Sequence, residues 1–434
     1  MIAATVAVSQ VAYAQESPTA TFSNTNGMAL AAEPEPGGTI LDQPKLTGNW
    51  WRARDTLSAH GVELDINLSQ FYQAVAAGGT QRSFEYGGKL DFYVNLDGGK
   101  LGLWSGFAVT VHAETRYGDD INTTDGMFSF GNFNMAFPKV DQDVTGITAL
   151  KLRQLLFDHL LLVAGKINTL DDFRLNFTGK NGLERFMNSA VVANIINART
   201  IPYSTYGAGF SVFAEKGPEF TFLVRDPDNH PITSDLDKLF ANGAVLTGSI
   251  RAPVTPFGLE GTQVLGGNWS SRHYTAVDPS SWVNVPGQGL VAGEESGSWA
   301  VYYNFDQYLW INSANTNTWL GMFGMSGLSD GNPNPIRWNA TIGLGAGGLI
   351  PGREGDTLGL GYFHMGVSSE FKQLLGGPLA PPRFAQRDEQ GVELYYNAAL
   401  TPWCHLSAEL QIVVPSTKDL DTTVLVGGRL KIDF

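Results

Sequence analysis

Cysteine is almost absent: Cys404 is the one thiol in 434 residues. That excludes an intramolecular disulfide and any multi-cysteine metal site; in Pro402-Trp403-Cys404-His405-Leu406 it falls near the end of a strand. Charge is scarce too, at 16% against about 25% in globular domains. The deficit is not made up by long apolar runs. None reaches the roughly 18 residues of a membrane-spanning helix, so a helical membrane protein is excluded. An excess of basic residues is missing: 28 Lys and Arg face 42 Asp and Glu, a net charge of −14, which argues against a nucleic-acid partner. No self-similar period of about 40 residues appears, which speaks against a propeller. The sequence also lacks H-E-x-x-H, C-x-x-C, G-x-S-x-G and a phosphate-binding loop. The seven histidines are scattered. The pairs Asp119-Asp120 and Asp171-Asp172 lack the spaced oxygen ligands of a calcium loop and read as solvated loop carboxylates. We therefore expect no catalytic residues, no metal and no cofactor.

What is present is glycine, 51 residues of it, aromatics at 11%, and a period of two. The last eleven residues set the pattern. Val424, Val426, Gly428, Leu430, Ile432 and Phe434 fall on one face; Leu425, Gly427, Arg429, Lys431 and Asp433 fall on the other. Successive strand side chains point to opposite faces, so this strand has one greasy and one charged side, and it stops on an aromatic. The same alternation runs through Val62–Ser69, Lys89–Leu96 and Val109–Arg116. It returns in Glu219–Arg225, Trp299–Asp306, Glu393–Leu400 and His405–Ile412. The aliphatic faces carry aromatics near their ends, as the interface girdles of a transmembrane barrel do. Aliphatic stripes against lipid and charged stripes around a watery lumen is the expectation. An interior packed with Leu, Val and Phe would contradict it.

The connections alternate in length. Asp97–Lys100 (DGGK) and Thr401–Trp403 (TPW) read as tight turns. Tyr117–Thr145, Asn168–Tyr206, Thr275–Ser296 and Glu370–Gln390 are long. That is the sidedness of an outer-membrane barrel, and residues 47–434 divided among 16 strands leave about 24 for each strand and its connection. The segmentation gives 16 or 17 strands, and bacterial barrels of this kind have an even number. Two stretches depart from the pattern. Leu46–His60 reads as a short helix stopped at Gly61, anchoring the first strand. Asn181–Asn197 has helical spacing and fits either a constriction folded into the lumen or a packed surface loop. Residues 1–14 read as a secretory signal, cut at Ala12-Tyr13-Ala14 and shortened at its start if Met1 is not the true beginning. Residues 15–45, with Pro18, Pro34, Pro36 and Pro44, read as a flexible linker. The domain expected is an all-β transmembrane antiparallel barrel over 46–434.

Several blocks in order resemble the carbohydrate-selective porin family of bacterial outer membranes. The opening LTGNWWRARDTLSAHGVELDINLSQ is similar to that family's first motif, with Trp51 and Arg52 in place of Gly-Gly. The resemblance continues through Leu152–Phe173, Phe186–Ala190 and Tyr303–Trp310. Gly321–Asn334 and Gly348–Ser369 carry the most specific matches, and Val392–Ser416 is similar to the penultimate hairpin. The resemblance implies a 16-stranded barrel passing sugars by diffusion across the outer membrane.

The inward faces supply hydroxyl-binding and charged groups for such a lumen. The pore-lining candidates are Glu114, Arg116, Lys166, Arg225, Tyr302, Asp306, Glu393, Glu409, Arg429 and Lys431. Arg353 and Asp356 join them from the GREGD block. His112 and His405 also fall inward and read as hydrogen-bonded wall residues. The partners expected are mono- or oligosaccharides, outer-membrane lipid, and the barrel-assembly machinery acting on the Phe434 strand; a homotrimer and a monomer both fit. A general or anion-preferring porin is the alternative, and an outer-membrane barrel enzyme is a distant third.

Overall fold

The computed structural model describes residues 39–434, apart from 139–142, 173–174, 180, 215–216, 288 and 378–383. The signal reading and most of the linker reading lie outside the described residues. Strands β1 (Val62–Ala77), β2 (Phe84–Asp97), β3 (Phe107–Gly118), β4 (Val144–Leu156), β5 (Leu160–Asn168), β6 (Ser204–Phe213), β7 (Glu219–Arg225), β8 (Val245–Val254) and β9 (Gly261–Thr275) follow one another in space. After a small hairpin of β10 (Val283–Val285) and β11 (Gly289–Val291) come β12 (Glu294–Ile311), β13 (Trp319–Ser329), β14 (Ile336–Gly347) and β15 (Thr357–Val367). The chain finishes with β16 (Glu389–Thr401), β17 (Cys404–Val414) and β18 (Thr423–Asp433). All but the small hairpin close into one antiparallel barrel in which β18 pairs with β1, with Leu68 opposite Ile432. Closure leaves no strand edge unpaired, which is what a strand-built membrane protein requires.

The faces fall as the alternation demands. Phe92, Leu152, Phe220, Leu265, Val301, Leu394, Leu406 and Val426 are exposed on the outside. Lys89, Glu114, Arg225, Asp306, Glu393, Glu409 and Arg429 are buried on the inside. At one end the connections are short, as at 157–159 and 402–403; at the other they run long, over 119–143, 169–203, 226–244 and 368–388. One turn differs from its reading: DGGK opens a connection over 98–106 and is not a tight two-residue hairpin, because β3 starts only at Phe107.

The interior is not simply wet. The described residues of segments 119–138 and 169–203 fold into the barrel, so of the two readings of Asn181–Asn197 the lumen one applies. They bring Phe133, Phe137, Phe177, Phe186, Val191 and Ile196 against Tyr302, Phe323, Met325, Phe363, Met365 and Tyr395 of the wall in one apolar cluster. Glycines on the inward face make the room. A Cβ at Gly321 would come within 2.2 Å of the Phe177 ring, one at Gly327 within 2.6 Å of Ile196, and one at Gly361 within 2.7 Å of Val191. The two segments also bond to each other, Phe133 N donating to Met187 O at 2.8 Å and Ser189 N to Phe130 O at 2.9 Å. Phe137 stacks on Tyr203 with centroids 4.7 Å apart. The charged stripes thus surround a lumen that is partly filled with its own apolar core.

The short helix expected near the start is α1 (Ala53–Ala59); α2 (Ser189–Val192) lies in the inserted segment, and α3 (Ser369–Gly376) on the long-loop side. Helix α1 clasps the barrel seam. Arg54 donates from Nη1 to Leu64 O at 3.1 Å and from Nη2 to Phe434 O at 2.7 Å. Leu46 N donates to Asp433 O at 2.8 Å. The end of the segment read as linker also holds on: Lys45 pairs with Asp65, and Trp403 Nε1 donates to Ile40 O at 2.8 Å.

Candidate functional site

The inward polar residues divide into two arcs. On β12–β18 they grip the inserted segments by the backbone. Glu393 accepts from the N–H groups of Met187 and Asn188, the latter at 2.9 Å. Arg429 donates to the carbonyls of Gly182 and Arg185 and to Ser407 Oγ at 2.7 Å. Asp306 accepts from Asn176 Nδ2 at 2.9 Å, and Lys431 lies 3.4 Å from Glu184 and 3.0 Å from Asp433. Glu409 accepts from Gln73, which in turn accepts from Asn132 Nδ2 at 2.6 Å. Asn194 Nδ2 donates to Asn304 at 2.8 Å, and Thr341 to Ala190 O at 2.7 Å. A buried N–H or C=O must find a partner, and these side chains are the partners that allow irregular backbone to sit inside a barrel.

The other arc, β2–β9, carries two charge groups. In the first, His112 places Nε2 3.0 Å from Asp91 and Nδ1 2.9 Å from Asp171, while Tyr93 stacks on its ring at 3.9 Å. Lys89 pairs with Glu114 and lies 3.8 Å from Asp91. Glu114 also accepts from Tyr203 OH and from Asn168 Nδ2 at 3.1 Å. The network ties both ends of segment 169–203 to β2 and β3. The ligand atoms of Asp91, His112 and Glu114 lie within 4.8 Å of one another; the Lys89 ammonium already supplies the cation there, so the cluster reads as an ion-pair network.

The second group is basic. Lys151 and Arg225 lie on one row of the sheet with Gly165 and Gly207 between them, so two long side chains share the space of four. Lys151 pairs with Asp172 at 2.6 Å. The guanidinium groups rest on hydroxyls: Arg225 on Thr247 at 2.8 Å, Arg153 on Thr110 at 3.0 Å and Arg251 on Thr262 at 3.4 Å. Lys151, Arg153 and Arg251 escaped the sequence reading, although Arg251 sits opposite Glu219 in strands of plain alternation.

Four candidates do not line an open lumen. Lys166 is paired across strands with Leu150 and Tyr206, on the outward face, and donates to Thr233 O at 3.0 Å. Tyr302 is inward but belongs to the apolar cluster, its ring filling the space over Gly266. Arg353 and Asp356 pair at 2.8 Å in the turn 348–356, and Asp356 also holds outward-facing Tyr396 and the N–H of Ala399. Burial pushes the Asp356 carboxyl up, but those hydrogen bonds outweigh it and hold the group below its ordinary value. Arg116 is inward, bound to Asp120 and, at 2.7 Å, to Met135 O. Asp120, Asp171 and Asp172 are accordingly not free loop carboxylates: they pair with Arg116, His112 and Lys151, because their loops run inside the barrel. His405 bonds to Asn397 at 3.1 Å, a wall residue as read.

A closed 16-stranded barrel with an apolar outer stripe, a charged inner stripe and inserted segments narrowing its lumen defines an outer-membrane porin. Residues 81–434 match the carbohydrate-selective porin, OprB family, and the chain belongs to that family. It is a channel for sugar uptake in the outer membrane, not an enzyme. The structure of Pseudomonas putida OprB solved at high pH aligns with a TM-score of 0.77 at 19% identity, over 92% of this chain and 100% of that one. The low-pH structure of the same protein aligns at 0.58 and 15%, over 91% and 99%. At such identities the likeness concerns the fold. No curated protein matches the chain.

Proposed function

We propose that sugars cross between the inserted segments and the β2–β9 arc, where Arg225, with Lys151, Arg153 and Arg251, presents hydrogen-bonding groups to sugar hydroxyls. The observation that carries this reading is the division of labour in the wall. Glu393, Glu409, Arg429 and Lys431 are engaged with inserted backbone or its supports, whereas Arg225 and Arg153 opposite donate to threonine hydroxyls that a sugar can replace. Swelling of liposomes across a panel of mono- and oligosaccharides tests it: swelling in glucose or mannitol, falling off with sugar length, is expected. Correctly folded protein that leaves liposomes impermeable to every sugar overturns it.

The same basic arc favours an anion preference as a second reading, since lining charge sets ion selectivity. Reversal potentials in a salt gradient measure it directly. The exposed aliphatic stripe takes lipid as its partner, and the Phe434 strand is the segment through which assembly machinery would engage the chain. Trimer and monomer are distinguished by cross-linking in detergent.

A further inference from the structure

We propose that Trp51, Phe157 and Phe257, at three turn tips on the short-turn end of the barrel, are lipid anchors. Their rings take the headgroup layer of the leaflet on that side and fix how deep the barrel rides in the membrane. The inference concerns the outer surface and is independent of the sugar path. Each ring occupies the second position of a tight turn. Ala53 N donates to Trp50 O at 3.1 Å across Trp51-Arg52, His159 N to Leu156 O at 3.3 Å across Phe157-Asp158, and Leu259 N to Pro256 O at 3.2 Å across Phe257-Gly258. In all three turns both central residues are left-handed, and Trp51, Phe157 and Phe257 have φ of 54°, 55° and 58°. Such turns favour Asn, Asp and Gly, and a side chain in that region costs an equilibrium factor of about 5–30. Strain of this kind is retained where the structure uses it. Here it presents apolar rings to the surroundings: Trp51 and Phe257 are 101% exposed and Phe157 77%. Of the other left-handed aromatics, Trp50 lies under the Arg54 guanidinium at 4.1 Å, and Phe240 is held through its N–H by Asp226 at 2.7 Å.

What meets the three rings is set by their height. The outer apolar stripe continues to the short-turn ends of the strands. Phe107 shares the face of Val109, which pairs with exposed Leu152, and Trp104 stacks on it with centroids 4.6 Å apart. Trp310, near the end of β12, is 46% exposed. Phe157 follows the last residue of β4 directly, and Phe257 comes three residues after the end of β8. Trp51 stands two residues before α1, whose Arg54 is bonded to Leu64 O and Phe434 O at the seam. At about 3.3 Å per residue, Phe157 and Phe257 reach roughly 3–10 Å beyond the strands. The polar layer on each side of the hydrocarbon core is about 5–8 Å deep, so rings at that height fall in the headgroups. Aromatic side chains favour that layer. The tips thus add a second tier to the girdle that strand residues carry, continuous with the lipid-facing surface.

The test uses the full chain folded into phospholipid vesicles. Subtracting the emission spectrum of Trp51→Phe from that of the wild type isolates the signal of Trp51. It should lie to the blue of tryptophan in water and be quenched by lipids brominated near the headgroup. Phe157→Asn and Phe257→Asn supply the second arm, read by denaturant unfolding from the vesicles. On turn geometry alone both should stabilise the barrel, because Asn accepts a left-handed backbone. With the rings anchored in lipid, each should instead lower the folding equilibrium constant about tenfold, the factor for partial burial of one aromatic ring. The heat-modifiable gel shift reports whether the variants fold, and the Trp51 arm leaves both of those turns untouched. A water-like, unquenched Trp51, or Asn variants at least as stable as the wild type in vesicles, would overturn the anchors and leave the rings as a surface for a partner protein.

Discussion

The glycines of the inner wall make a graded prediction. Gly321→Ala puts a methyl carbon 2.2 Å from Cζ of Phe177, and 2.4 and 2.6 Å from its two Cε atoms. The ring is fully buried and hemmed by Tyr308 and Trp319 at centroid distances of 4.9 and 5.3 Å, so it has nowhere to turn. Overpacking of this kind costs about 1–3 kcal/mol. Gly321 stays in β13 whether the inserted segment is docked or not, so backbone entropy cancels and the whole cost falls on docking. Release of the segment then becomes roughly 5- to 150-fold more frequent. Trypsin cleavage at Arg185, whose carbonyl is held by Arg429 at 3.1 Å when docked, reads that release directly. Gly361→Ala, 2.7 Å from a Val191 methyl, should give a smaller effect, and Gly248→Ala, which meets nothing within 4 Å, none. Cleavage of the Gly321 variant at the rate of the Gly248 variant would refute the idea that glycine vacancies seat the segment.

Other perturbations separate the two arcs. Arg54→Ala removes the donor to Phe434 O and should speed hydrogen exchange at the end of β18, at a cost of about 1–2 kcal/mol, with little change in conductance. Neutralising Lys151 and Arg225 together should move the zero-current potential toward cation preference, and an unmoved potential would remove the basic arc from the conduction path. Glu393→Ala leaves the N–H groups of Met187 and Asn188 unpaired at about 1–3 kcal/mol each, so it should expose Arg185 to trypsin, whereas the Lys151 and Arg225 changes should not. Asp125, in the inserted segment 119–138, has its carboxyl pushed up to about 8 by burial, against the N–H groups of Met127 and Gly131, which lower it. The docked segment therefore holds a proton that the released one gives up above about pH 4. Docking should be tightest below pH 4, weaken up to pH 8 and stay level beyond it. Exchange of the 125–131 amides, corrected for intrinsic rate, should follow that curve in the wild type and lose it in Asp125→Asn.

Strand faces were legible because one buried or lipid-facing side forces a period of two, and β1–β3, β7, β12 and β16–β18 show it plainly. Strand β5 does not: Leu160 to Gly165 runs apolar without a break, so nothing in Leu-Leu-Leu-Val-Ala-Gly-Lys assigns a side to Lys166, and its register against Leu150 was needed. Inward aromatics such as Tyr302 look like sugar platforms in sequence. Only the pairing of Tyr302 with Gly266 shows the ring lying over a glycine of the next strand. Nothing in the long connection Tyr117–Thr145 says that it folds inward, since the docking groups of its residues 128–132, Glu389, Gln411 and Gln73, lie far away in the chain. The resemblance to the porin family carried the function; the wall positions of Gly321, Gly327 and Gly361 became meaningful only with Phe177, Ile196 and Val191 seated on them.

That seating explains why a lumen rich in charge presents so little of it to a solute. Irregular backbone inside a barrel needs a partner for each buried N–H and C=O, and β12–β18 supply them from Glu393, Gln411, Arg429 and Asn304. Those groups are thereby withdrawn from contact with sugar: replacing Glu393 by a hydroxyl contact would first have to break two backbone bonds. The apolar cluster beneath acts in the same direction, since ejecting Phe177 or Phe186 into water costs about 1.5–3 kcal/mol for each ring. The inserted segments behave as fixed wall, and in the proposed sugar path selectivity falls to the opposite arc, where the guanidinium groups of Arg153 and Arg225 donate to threonine hydroxyls. Charge held by a carboxylate is expensive for a neutral sugar to displace, whereas a threonine hydroxyl is exchanged for a sugar hydroxyl at nearly no cost. A polyol filter can therefore be built from cations without becoming a trap.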